Sequence, residues 1–300
     1  MESVTGDVRD AESLSEAMQS FQPEIVFHLA AQPIVLASYQ DPACTYETNV
    51  MGTVNLLEAA RQCNSVKSIL NVTTDKVYKN NEWPWGYRET DELNGYDPYS
   101  NSKSCSELVT DCYSHSFFAE KNVPVTTARA GNVIGGGDFA ECRIIPDAYR
   151  AALEGRALSI RSPHSVRPYQ HVLEAVTVYL LLALVQMERP ELAGCYNVGP
   201  DEGSCVTTEK VAELFCKSWT GSSYAVCPDA SRGHEAGFLR LDCSKLRDSL
   251  GWRPLWDIEK AIGMAVELYR AIAENKDPLR VIDAQIAEYV GLFESMVKFR

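Results

Sequence analysis

The stretch Asn71-Val72-Thr73-Thr74-Asp75-Lys76-Val77-Tyr78, followed after a tryptophan-rich loop by Asp97-Pro98-Tyr99-Ser100-Asn101-Ser102-Lys103, sets the architecture of the chain. The apolar run from Val66 to Val72 reads as a buried strand that ends at Thr73-Thr74-Asp75. Asp97 is a good N-cap and Pro98 suits the first helical position, so a helix opens there. Tyr99 and Lys103 then lie one turn apart on the same helix face. An ammonium that close favours the phenolate and predicts a tyrosine pKa below the ordinary ~10. A phenol so tuned can take a proton from a sugar hydroxyl while a hydride leaves the same carbon. Y-x-x-x-K alone recurs by chance. After a strand ending in Thr-Thr-Asp it carries more weight. The plainer alternative is the start of an amphipathic helix behind a strand.

The flanking residues make a resemblance specific. The loop Glu82-Trp83-Pro84-Trp85-Gly86-Tyr87-Arg88-Glu89, the approach Gly95-Tyr96-Asp97-Pro98-Tyr99-Ser100 and the pair Asp75-Lys76 together resemble the extended short-chain dehydrogenases/reductases. Among these the chain is most similar to NAD-dependent nucleotide-sugar 4,6-dehydratases that act on CDP-glucose. The dTDP-glucose relatives have Asp-Glu where this chain has Asp75-Lys76. The likeness runs from about Gly6 to the C terminus.

That resemblance implies an α/β fold: a Rossmann-like, doubly wound, mostly parallel sheet with a smaller C-terminal substrate-binding lobe. It implies a lyase that converts CDP-glucose to CDP-4-dehydro-6-deoxyglucose and water, with NAD as a cofactor that is not consumed. Tyr99 would take the proton from the carbon-4 hydroxyl, helped by Lys103 and Thr74. Asp75 would protonate the departing carbon-6 hydroxyl. Lys76 would act at carbon 5, either as a neutral base or as an ammonium that steadies the enolate. Cofactor contacts carry over to Asp7 and Val8 at the adenine and to Leu29, Ala30 and Ala31 near the pyrophosphate and ribose. Thr73, Tyr99 and Lys103 complete that set. Substrate contacts carry over to Gln32, Asn132, Arg143, Arg167, His234 and Arg240, with the Arg167 guanidinium fork suited to a diphosphate. A homodimer is implied as well, built from the helix near Thr45 to Gln62 and the helix from Pro98. Val50, Val54 and Leu57 on the first, with Leu108, Val109 and Cys112 on the second, could face either a partner or the sheet.

Outward from the motif, Ser3 to Val8 resembles the end of a strand, and Glu24 to Ala31 reads as a near-continuous apolar strand. His28 within it reads as a packed core histidine. Val35-Leu36-Ala37-Ser38 stands where relatives carry a basic residue, so one substrate contact is in doubt. Asn49 could hold a water or bond to backbone. Val123 to Arg129 reads as a strand. The glycines from Gly131 to Gly137 do not fit G-x-G-x-x-G. From about Ile144 the strand–helix alternation loosens. The expected division is a dinucleotide-binding part over 1–143, with returning segments near 171–200, and a substrate lobe over 144–300. His171 is expected to cap a helix, and Ile258 to Glu274 to be the closing one.

No glycine-rich strand–turn–helix precedes Gly6. The expectation is a chain that lacks ~50 residues or more of the fold, since one βαβ unit needs roughly 30. Two further strands would then lie between Ser3–Val8 and Glu24–Ala31. These 300 residues, made alone, are expected to bind NAD on the order of a hundredfold more weakly, for want of charge-assisted bonds to the pyrophosphate. A non-catalytic remnant that binds a nucleotide sugar or a partner subunit is the alternative from another class. An epimerase or a dTDP-sugar dehydratase is the alternative within the class. The joint presence of Thr74, Asp75, Tyr99 and Lys103 weighs against a remnant.

Composition narrows the rest. A formal charge of −13 offers no basic face for nucleic acid. The ten cysteines include no C-x-x-C pair and no zinc spacing, so reduced thiols in a cytoplasmic protein without metal are expected. No signal peptide is read at Met1. The longest apolar run, Val172 to Met187, contains Glu174 and is too short to cross a bilayer.

Overall fold

Ser68–Thr74 is buried along nearly its whole length, so it can only be an interior strand with helices on both faces. The computed structural model describes residues 1–227 and 237–298, with side chains up to 295. Its strands are β1 (Ile25–His28), β2 (Ser68–Thr74), β3 (Val125–Ala130), β4 (Asn132–Ile134), β5 (Leu158–Ile160), β6 (Val166–His171), β7 (Cys195–Val198), β8 (Cys205–Thr207) and β9 (Tyr224–Val226). Its α-helices are α1 (Ala11–Phe21), α2 (Val35–Gln40), α3 (Pro42–Tyr46), α4 (Gly52–Gln62), α5 (Pro98–Tyr113), α6 (Ile144–Leu153), α7 (Val172–Glu188), α8 (Thr208–Ser218), α9 (Ser244–Leu250), α10 (Ile258–Ala273) and α11 (Pro278–Lys298).

The main sheet runs β1-β2-β3-β7, every pair parallel. His28 pairs with Asn71, Thr74 with Ala130, and Ala130 with Val198, so the carboxyl ends of all four strands share one edge. That edge is where open α/β sheets bind ligands. One face of the sheet packs Val26, Ile69 and Val125 against Met18 of α1 and Leu56, Leu57 and Ala60 of α4. The other packs Leu70, Ala128 and Val198 against Val178 and Leu182 of α7. Two smaller sheets, β4-β6-β8 and β5-β9, lie with α6, α8 and α10, around Tyr149, Phe215, Ile262 and Tyr269. No helix among the described residues is long and apolar enough to cross a membrane.

Helix starts follow their capping residues. Asp97 accepts from Ser100 N at 2.9 Å and opens α5, as the Asp-Pro pair predicts. Asp257 does the same for α10 through Lys260 N at 2.8 Å. His171 caps α7, its Nδ1 accepting from Leu173 N at 3.3 Å. Gly95 is required by close approach. A Cβ there would sit 2.3 Å from the Ser100 carbonyl carbon, in the first turn of α5. Gly95→Ala should therefore cost about 1–3 kcal/mol, as overpacking does. A urea midpoint equal to that of the parent would contradict this.

Three expectations are corrected. Residues 3–8 form no strand: none of the described strands adjoins them to supply a ladder, and the exposed Asp7 carboxylate is instead paired with Arg9 at 2.6 Å. The strand read over Glu24 to Ala31 stops at His28. The helix over Ile258 to Glu274 does not close the chain, because α11 follows it. Glu174 helps hold α11 in place. This acid in an apolar helix is fully buried, accepts from Leu255 N and Trp256 N, and takes the Tyr289 hydroxyl at 2.6 Å.

Candidate active site

β2 delivers Thr74 to the ligand edge of the sheet, and a 3₁₀ turn over Asp75–Val77 carries the chain out of the strand. Thr74 caps that turn through Lys76 N at 3.4 Å. The Asp75 side chain is fully buried. Its Oδ1 accepts from the Thr74 hydroxyl at 3.0 Å and from Lys76 Nζ at 2.9 Å. Its Oδ2 is buried with no partner. An unmet carboxylate oxygen is costly in a protein interior unless a ligand group satisfies it. Lys76 Nζ also donates to Asn132 Oδ1 at 3.2 Å, which brings β4 to the same point.

α5 supplies the other half. Tyr99 is buried, and the Thr74 hydroxyl favours its ionised form. Its backbone N–H donates to Ser38 Oγ at 3.1 Å, so the Val35–Ser38 segment holds the start of α5. Lys103 is buried and donates to the Val72 carbonyl at 3.1 Å. The expected lowering of the Tyr99 pKa by Lys103 is corrected here. Burial pushes the phenol up to about 12, with the Asp75 charge adding to the rise and Thr74 and Arg143 opposing it. Burial also pulls Lys103 down to about 8, against the charge of Glu107. The spacing placed the two residues correctly, but desolvation outweighs charge in so closed a site. A buried phenol with its proton, an aspartate with one open oxygen and an adjacent ammonium form an acid–base site for a hydroxylated substrate.

A family model described as GDP-mannose 4,6 dehydratase matches residues 1–265. The chain belongs to this dehydratase family. It is 43% identical over 297 residues to the CDP-glucose 4,6-dehydratase of Salmonella typhimurium, covering 97% of this chain and 83% of that protein. It is 28% identical over 287 residues to a dTDP-glucose 4,6-dehydratase of Xanthomonas campestris pv. campestris, covering 89% of this chain and 78% of the other. Among solved structures, the UDP-glucose 4-epimerase of Thermus thermophilus, in complex with NAD, superposes with a TM-score of 0.78 at 28% identity, covering 88% of this chain and 83% of that one. DesIV, a dTDP-glucose 4,6-dehydratase from Streptomyces venezuelae with NAD and TYD bound, superposes with a TM-score of 0.76 at 25% identity, covering 92% and 81%. The resemblance read from the motifs and the Rossmann-like α/β class both hold.

Within this dehydratase fold the other candidates fall into two groups. Leu29 and Ala30 are exposed and Ala31 half-buried in the loop after β1, at the ligand edge. Arg143 sits at the start of α6, paired with Asp138 at 3.0 Å, and bears electrostatically on Tyr99. Arg167 is buried on β6 and donates to the Val166 carbonyl at 2.9 Å. Arg240 lies over the Phe238 ring at 4.8 Å, and its Nε is buried without a partner. Among the described candidates it is the one that lines the large cleft of about 910 Å³ beside Trp83 and Trp85.

The second group is engaged by other residues of the protein. The Thr73 hydroxyl donates to Glu107 and not toward the ligand edge. Gln32 is tied to Asn49 and Thr45, with its backbone N–H on Asn49 Oδ1 at 2.8 Å. That pairing settles Asn49 as a backbone anchor, on a π-helical turn over Glu47–Met51 that periodicity alone does not disclose. His28 is the packed core histidine expected, bonded to Thr53 at 3.0 Å and pulled down to about 3 by burial. Asp7 is held at about 2 by Arg9, and the Val8 carbonyl accepts from Asn55 at 2.9 Å. His234 lies outside the described residues.

The sequence reading missed the polar cluster beneath Lys103. Glu107 accepts from Arg129 at 2.9 Å and Thr127 at 2.7 Å, all three buried. An arginine inside a strand otherwise made of small, uncharged residues was the available signal.

Proposed function

We propose that the protein is an NAD-dependent CDP-glucose 4,6-dehydratase that forms CDP-4-dehydro-6-deoxyglucose and water. The observation that carries this reading is the Asp75–Lys76 pair beside Tyr99, with Asp75 Oδ2 open. It is supported by the 43% identity to a protein of that name.

The residues present suit the nicotinamide end of NAD: small loop residues, Ala30 exposed and Ala31 half-buried, with a buried tyrosine and lysine. Leu29, Ala30, Ala31, Tyr99 and Lys103 would hold that end, and Asp7 and Val8 the adenine. NAD, when bound, supplies the hydride acceptor at carbon 4 and the hydride donor at carbon 6. Thr74 and Tyr99 orient the carbon-4 hydroxyl; Tyr99 first releases its own proton to solvent and then, as the phenolate, takes the hydroxyl proton. Asp75 Oδ2 receives the carbon-6 hydroxyl. The 2.9 Å bond between Lys76 and Asp75 supports the reading of Lys76 as the base at carbon 5. A proton passed across it leaves a neutral amine to take the carbon-5 proton and a carboxylic acid to release water. Lys76, Asp75 and Asn132 thus act as one group. Arg167 and Arg143 grip the diphosphate, and Arg240 lies toward the nucleotide. Residues 1–143 with the 171–200 returns serve NAD, and 144–300 serve the substrate.

Two further features belong to this reading. The protein is cytoplasmic, in keeping with ten free cysteines. It is a homodimer through α4 and α5. Leu57 and Val109 pack into the core, whereas Met51, Leu108 and Cys112 stay exposed and would meet the partner. Light scattering at micromolar concentration should return twice the chain mass, and a monomer mass would count against the interface.

The base is tested by offering CDP-, dTDP- and GDP-glucose with added NAD. CDP-glucose should give the highest kcat/KM. A clear preference for dTDP-glucose would replace the assigned nucleotide.

A further inference from the structure

We propose that Glu107 is a positioning residue of the site, whose carboxylate, fixed in a buried cluster by Arg129, Thr127 and Thr73, keeps Lys103 charged and directed at the Val72 carbonyl. The inference rests on the reading of Tyr99 and Lys103 as the catalytic pair.

Tyr99, Lys103 and Glu107 recur every fourth residue along α5 and so form one stripe. The Glu107 carboxylate is fully engaged. One oxygen accepts from Arg129 and Thr127, the other from the Thr73 hydroxyl. Arg129 is held in turn by the Tyr78 hydroxyl and the Glu89 carbonyl, each at 2.9 Å. Stability does not account for such a cluster. A buried ion pair is often no better than an apolar pair of the same volume, because desolvation cancels the attraction. Its placement one turn from a buried lysine does account for it.

The groups that face Lys103 bear this out. β1 contributes His28, which burial keeps neutral. β2 contributes the Val72 carbonyl, and its Thr73 hydroxyl donates to Glu107. β3 contributes Arg129, which contacts Glu107. α5 itself contributes Tyr99, which keeps its proton, and Glu107. Among the described residues, Glu107 is the one charge that favours the Lys103 ammonium against the burial that pulls it down to about 8.

The test follows Lys103 directly. Full-length protein carrying ¹³C,¹⁵N-lysine is titrated by NMR, and the Lys103 signal is assigned by its loss in Lys103→Arg. Glu107→Gln alone would strand the Arg129 guanidinium, so the main variant is Glu107→Gln/Arg129→Gln, neutral at both positions. Its Lys103 midpoint should fall by about one unit or more, and the alkaline limb of kcat should move with it. Glu107→Asp, which withdraws the charge but keeps it, should give an intermediate midpoint and serves if the double variant does not fold. An unmoved Lys103 midpoint in whichever of these variants folds overturns the proposal. Full turnover in Lys103→Met would instead refute the catalytic reading, and the lysine titration would still judge Glu107.

Discussion

Tyr99→Phe should lower turnover of CDP-glucose by roughly 10²–10⁴-fold, the usual contribution of a positioned acid–base group, and should leave CDP affinity unchanged. The ring is buried, so phenylalanine fills the same space and loses only the proton-carrying group. Thr74 keeps its bond to Asp75, and the Asp75–Lys76 pair is untouched. The loss therefore falls on kcat, not on folding or nucleotide affinity. Burial holds the free phenol at about 12, so the phenolate is costly to form at neutral pH. The site must supply positive charge as the proton leaves, which is why Lys103 matters at a distance from the phenol itself. A variant with near-parental kcat would remove Tyr99 from the chemistry.

Asp75→Asn should be of similar size, roughly 10²–10⁴-fold in kcat, for a different reason. Asparagine keeps the shape and can still accept from Thr74. It cannot take a proton from Lys76, so it removes the acid for the carbon-6 hydroxyl. It also leaves Lys76 without the neighbour that receives its proton. Exchange of the carbon-5 hydrogen with solvent deuterium should fall together with water release. Exchange that persists at the parental rate while dehydration stops would separate the two roles and contradict the shared-proton account.

What was legible in the sequence was what local rules control. Asp97-Pro98 announced α5, and the apolar run to Val72 announced β2. Together they brought Thr74, Asp75, Tyr99 and Lys103 to one edge of the sheet. His171 and His28 were legible too, because an N-cap and a strand interior leave a histidine few other roles.

The rest depended on tertiary structure. Spacing alone predicted a lowered Tyr99 pKa, and only the depth of burial reverses that sign. The turn over Glu47–Met51 inserts π-helical bonds without breaking the apolar pattern, so nothing in the pattern marks it. Gln32 looked available until Asn49 and Thr45 were seen to hold it. Glu107 looked like an ordinary helix residue until β3 brought Arg129 against it. α11 was within reach of sequence rules, since Pro278 stands at a first helical position after Asp277.

The most direct test of the central claim is product analysis in deuterium oxide. Purified protein is incubated with NAD and CDP-glucose carrying deuterium-free carbons 4, 5 and 6, and the product is read by NMR. The account predicts CDP-4-dehydro-6-deoxyglucose, with solvent deuterium at carbon 5 and the original carbon-4 hydrogen at carbon 6. Recovery of CDP-galactose, or of CDP-glucose unchanged with no deuterium at carbon 5, would contradict it.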